Sequence, residues 1–205
     1  MIKNILFDFD GVILDSMKIK GDGFVELFKE YPQKNIQAME EYHYANGGIS
    51  RFAKIGYFFN TILHEQISDQ KIEDLAEQFA HIIAEKLFDR NHLIDETITF
   101  IRENHLRYNC HIVSGAEHQE LNALCNHFGI AHYFKSIQGS PTAKTELVNT
   151  LLQTYHYHLD ETLLIGDSIN DFEAAKANHI LFSGYNNKEL KVLGHYIDSF
   201  AGYNP

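Results

Sequence analysis

At 205 residues, 44% of them hydrophobic, the chain is long enough for one sizeable core with room for a smaller appended unit. A formal charge of -11 argues against nucleic acid or an anionic membrane as the main partner, because neutralising phosphates takes a basic surface. Cys110 and Cys125 stand in no metal-like or redox spacing, which excludes a disulfide framework and fits a reduced cytoplasm.

The chain opens on an apolar run, Ile5-Leu6-Phe7, that leads into Asp8-Phe9-Asp10-Gly11. The run is broken too early for a signal peptide, and no later span is long enough to cross a bilayer, so a soluble, cytoplasmic protein is expected. A short apolar run ending in glycine reads as a buried parallel strand followed by a sharp turn. Helical patterns follow over Gly23–Lys29, Ile36–Tyr44, Arg51–Leu63 and Asp69–Leu87, broken at Tyr31-Pro32, Asn46-Gly47-Gly48 and Ser68. Tyr57-Phe58-Phe59 reads as the apolar core of this helical stretch rather than a stacking platform.

From about Asp95 the pattern alternates. Helices are expected over Glu96–Asn104, Glu117–His127, Thr142–Tyr155 and Asn170–Asn178. Between them, strands are expected over Cys110–Val113, Phe134–Ile137, Leu163–Ile165 and Ile180–Phe182, with a last edge strand over Tyr196–Phe200. Such alternation implies a doubly wound α/β fold, a parallel sheet covered by helices on both faces. The expected organisation is a core of residues 1–15 and 91–205, with an inserted α-helical cap over 16–90.

Polar residues gather where the strands end. Asp8 and Asp10 end the first; Ser114-Gly115 ends a second; Asp167 and Asp171, in Gly166-Asp167-Ser168-Ile169-Asn170-Asp171, end a third; and Lys144 opens a helix. Ligands of open α/β sheets collect at these carboxyl ends. Four converging carboxylates repel one another unless a hard divalent cation sits among them, so Mg²⁺ is expected on Asp8, Asp10, Asp167 and Asp171. Asp8 is then placed to attack phosphorus in line and form an aspartyl-phosphate. Asp10 would serve as acid and then base. Ser114, the Gly115 N–H and Lys144 would hold the phosphoryl oxygens. Asp15 and Ser16 read as bracing the first helix. Asn170 either orients Asp167 or starts its helix, and most of the 13 histidines read as surface or cap-packing residues.

In this order the motifs resemble those of the haloacid dehalogenase superfamily: Asp-x-Asp-Gly, a Ser or Thr, a Lys, then Gly-Asp-x-x-x-Asp, matched here from Asp8 to Asp171. The resemblance implies a Rossmann-like core with a cap that closes over the site. It also implies phosphate chemistry, since the dehalogenases of the superfamily lack the second aspartate that Asp10 supplies. Phosphonatases of the family form a Schiff base on a cap lysine; Lys18, Lys20 and Lys54 lie in the cap here, but the first motif of those enzymes differs. The stretch Asn46-Gly47-Gly48-Ile49-Ser50-Arg51 is similar to the Gly-Val-Ser-Arg loop with which β-phosphoglucomutases grip a distal phosphate, a role open to Arg51, as is that of a surface ion pair. Those mutases carry a histidine where this chain has Lys20. The expected activity is hydrolysis of a small phosphorylated metabolite, a phosphate monoester. The alternatives are a sugar phosphomutase and a noncatalytic phosphate-binding protein.

Overall fold

The computed structural model describes residues 1–205. Its centre is β1 (Asn4–Phe7), the strand expected from the opening apolar run. Side chains alternate across it: Ile5 and Phe7 join the larger apolar cluster on one face, Leu6 the smaller one on the other. Burial on both faces explains why the strand is a continuous apolar run.

After β1 come four helices of the inserted stretch, α1 (Met17–Leu27), α2 (Gln33–Ala45), α3 (Arg51–Tyr57) and α4 (Asp69–Leu87). The first starts six residues before the expected Gly23. Its interior glycines hide it from a propensity reading, yet Gly23 is there for contact: a Cβ on it would lie 2.4 Å from Ile83 of α4. After α3 the chain winds into a π-helical turn over Phe58–Leu63, ended by His64 in a left-handed conformation. Phe58 and Phe59 are buried, as expected of an apolar core, and Phe58 stacks on Phe28 with ring centroids 3.7 Å apart.

The rest alternates: α5 (Asp95–Asn104), β2 (Asn109–Glu117), α6 (His118–His127), β3 (Ser136–Ser140), α7 (Lys144–Tyr155), β4 (Thr162–Gly166), α8 (Ile169–Ala177), β5 (Leu181–Tyr185) and β6 (His195–Ile197). All six strands pair in parallel in the order β3-β2-β1-β4-β5-β6. The expected strand over Phe134–Ile137 is displaced towards the C-terminus, because Phe134 follows a 3-10 turn and packs on the core from outside the sheet. The last strand is shorter than expected and stops at Ile197. No helix is long and apolar enough to cross a membrane.

Strand order reverses between β1 and β4, and at such a switch point the connecting loops diverge and leave a crevice at the carboxyl ends. Phe7 pairs with Ile112 on one side and Ile165 on the other, so Asp8, Ser114 and Asp167 lie within two residues of one level.

Candidate active site

Asp8 follows β1 directly, its N–H still bonded to the Ile165 carbonyl oxygen at 2.9 Å, and is 2% exposed. Its carboxylate oxygens lie among those of Asp167 and Asp171, all within 4.8 Å of one another. Lys144, the first residue of α7, bridges two of them: Nζ is 2.9 Å from Asp8 Oδ1 and also bonded to Asp171 Oδ1. Burial and the Asp171 charge push Asp8 up to about 7 against the pull of Lys144. Asp167 is raised by burial and by Asp8, while the Lys144 ammonium, flanked by Asp171 and Asp8, is held above its ordinary value despite burial.

Asp171 is fully engaged. Ser168 gives it an N–H bond at 3.0 Å and a hydroxyl bond at 2.6 Å while accepting from the Asp171 N–H, a capping box that opens α8. By contrast, Asp167 Oδ1 is buried with no hydrogen-bond partner. A free carboxylate oxygen beside two further carboxylates is a hard donor set that suits a divalent cation. Gly11 makes room for it: a Cβ there would lie 1.9 Å from Asp167 Oδ2, and the residue has φ +73°, which glycine alone adopts without strain.

The Asp10 carboxylate, expected beside the other three, is not part of this close group. Lys20 is ion-paired to Oδ2 and the Ser16 hydroxyl donates to Oδ1 at 2.5 Å. Burial would raise Asp10, but Lys20 and Ser16 outweigh it and hold the group below its ordinary value. Ser16 therefore braces Asp10 and makes no side-chain cap on α1, and Asp15 is exposed. The signal for this pair was in the sequence: Ser16 and Lys20 are four apart at a helix start and so share a face.

Ser114 is fully buried within β2, which runs on to Glu117 instead of ending at Val113 as expected, and its Oγ accepts from the Ala116 N–H at 3.1 Å, leaving its proton free to donate. The loop before α3 closes on this point. A Cβ on Gly115 would lie 2.4 Å from the Gly48 carbonyl oxygen, and one on Gly48 would lie 2.7 Å from Ser168 Oγ. Gly48 is thus wedged between Gly115 and the Asp167–Asp171 loop. Arg51 is buried and ion-paired to Glu120 of α6, with its guanidinium 5.1 Å from the Phe79 ring centroid. Asn170 lies in the first turn of α8, and its Oδ1 has no partner.

Under the helices remains a chamber of about 20 Å³, lined by Asp10, Lys20, His43, Arg51, Lys54 and Gly115 among others. Lys54, weighed from the sequence only as a Schiff-base lysine, and His43, which sequence reasoning did not single out, meet in this chamber. His43 Nε2 lies 2.9 Å from the Met17 carbonyl oxygen, which only accepts, so Nδ1 accepts from Lys54 Nζ at 3.0 Å. Burial and the neighbouring Lys54 push His43 down to about 3 and keep it neutral.

Residues 5–184 match the family described as haloacid dehalogenase-like hydrolase. A phosphoglycolate phosphatase of Vibrio parahaemolyticus is 27% identical over 201 residues, covering 92% of this chain and 87% of that protein. Among solved structures, a β-phosphoglucomutase of Clostridium difficile superposes with TM-score 0.80 at 19% identity, over 100% of this chain and 94% of the other. CbbY of Rhodobacter sphaeroides, in complex with a xylulose bisphosphate, superposes with TM-score 0.77 at 19% identity, over 98% and 96%.

Proposed function

We propose that the chain, which belongs to the haloacid dehalogenase-like hydrolase family, is a phosphatase that hydrolyses small phosphate monoesters through an aspartyl-phosphate formed on Asp8. The observation that carries this reading is the buried Asp8 carboxylate at the switch point, flanked by the Lys144 ammonium and the unpartnered Asp167 oxygen.

Asp8, Asp167 and Asp171 would hold Mg²⁺, which when bound offsets the charge of the carboxylates and of the incoming phosphoryl group. The remaining work falls to the chain. Lys144 neutralises a phosphoryl oxygen, while the Ser114 hydroxyl and the Gly115 N–H donate to the others as charge spreads over them. Lys20 and Ser16 disfavour the protonated form of Asp10 at rest, so its proton arrives with a protonated phosphate ester; Asp8 then attacks phosphorus in line as the leaving oxygen takes that proton from Asp10. Water then attacks the same phosphorus, gives its proton to Asp10 and releases phosphate, which leaves with that proton and returns both aspartates to their starting forms. Lys20 and Ser16 keep the Asp10 carboxylate aimed from the helical insert, so closure of the insert as a cap completes the acid–base machinery.

The closed chamber is lined by cations and leaves little room, which supports a small phosphorylated metabolite as substrate. Phosphoglycolate, on which the Vibrio relative acts by its name, is the first candidate. The test is phosphate release from a panel of phosphorylated metabolites with Mg²⁺, using Asp8→Asn as the blank. Loss of roughly 1000-fold or more in the variant is expected, because the nucleophile is gone. Equal release by both proteins would overturn the reading, and isomerisation of a sugar phosphate without release would make the chain a mutase.

A further inference from the structure

The charged side chains lining the closed chamber are Asp10, Lys20, Arg51 and Lys54. The first two neutralise each other, and Arg51 is neutralised by Glu120. Lys54 is left over. It is 3% exposed, no carboxylate is bonded to it, and its one polar partner is the neutral ring of His43. Phe24, Phe79 and Ile49 also line the chamber, so the ammonium faces apolar walls.

Burying a cation without a counter-charge is costly, and an apolar side chain would fill the same place without that cost. An ammonium has three donors, and His43 takes one of them. In agreement with this geometry, burial and the Lys20 charge push Lys54 down to about 7, as for an amine that lacks its anion.

We propose that Lys54 is the receptor for a carboxylate on the leaving group, so that the enzyme selects phosphate esters of short hydroxy acids. The inference rests on the phosphatase reading and deepens it by naming the substrate class. Distance in sequence places no obstacle, since Lys54 and Asp10 line the same chamber and the leaving oxygen must sit beside Asp10. The chamber of about 20 Å³ has room for a group of a few atoms beside Asp10. Low-dielectric walls strengthen the ion pair once it forms. Arg51 is less suited to the task, because a substrate anion would have to displace Glu120.

The test compares two esters that differ only at the end distant from phosphorus: phosphoglycolate, and 2-hydroxyethyl phosphate, in which a CH₂OH replaces the carboxylate. The wild-type enzyme should prefer the first. Lys54→Met should cut the ratio of the two kcat/KM values roughly 100-fold, mainly through KM for phosphoglycolate, as loss of a buried charge partner does. Lys54→Arg should restore part of the ratio, a response that a merely structural lysine would not give. A wild-type enzyme indifferent to the carboxylate, or a ratio unchanged in Lys54→Met, overturns the inference while leaving the phosphatase standing. Failure of the wild type to release phosphate from either ester or from the wider panel overturns both. Should Lys54→Met not fold, the wild-type ratio and that of Lys54→Arg decide.

Discussion

His111 shows how a single buried side chain ties stability to the site. It is fully buried in β2, three residues before Ser114, with Nδ1 2.7 Å from Ser136 Oγ and Nε2 3.0 Å from Tyr157 Oη. Burial, aided by Lys135, lowers its value from 6.5 to about 4. Between those values the unfolded chain binds a proton that the folded chain refuses, so stability rises with pH through the window and is lost on acidification from 6.5 towards 4. Thermal melts from pH 7.5 to 5 should therefore fall more steeply for the wild type than for His111→Gln, even though the variant starts lower. Parallel slopes would place the titration elsewhere. Sequence reading put most histidines on the surface or in cap packing, and His43 does pack within the insert. It could not pick out His111, whose partners Ser136 and Tyr157 lie 25 and 46 residues away.

Among the elements, the Gly48 loop of the insert meets β2 at Gly115, the contact through which the proposed closure of the insert would pass. The nearest neighbour of a Cβ at Gly115 is the Gly48 carbonyl oxygen, 2.4 Å away, a backbone atom that cannot rotate aside. Gly115→Ala should therefore hold the insert open and lower kcat/KM roughly tenfold or more by misplacing Asp10 relative to phosphorus. Stability should fall as well, because opening the insert parts Arg51 from Glu120 and Lys20 from Asp10. Gly56→Ala in α3 is the control: its nearest neighbour would be an ordinary 3.7 Å away, so the variant should gain about 0.5–1 kcal/mol in denaturant unfolding from helix propensity. Full activity in Gly115→Ala would show that closure does not pass through this contact. The paired glycines were legible as a helix stop or a close approach, but a linear pattern does not say what approaches.

Across the whole molecule, the Arg51–Glu120 pair joins the helical insert to α6 over 69 residues of sequence, with Arg51 buried and Glu120 half-buried. Removing either partner strands the other charge. Arg51→Met and Glu120→Gln should each destabilise, and the double variant should recover part of the loss, with a coupling of roughly 1–3 kcal/mol in denaturant unfolding. Additive losses would remove the pair as a brace between insert and core.

The same contrast runs through the rest of the fold. Alternating patterns after Asp95 determined a parallel sheet wrapped by helices, because the periods of buried strands and amphipathic helices are local properties of the chain. The polar residues at strand ends located the candidate site, because a parallel sheet delivers every such end to one side. Tertiary structure alone decided that Asp8, Asp167 and Asp171 share a cluster while the Asp10 carboxylate turns to Lys20 and Ser16. It also decided that Arg51 is neutralised and Lys54 is not. Those outcomes depend on which side chains meet across the insert and the core, and Coulomb energies follow distance in space and burial rather than position along the chain.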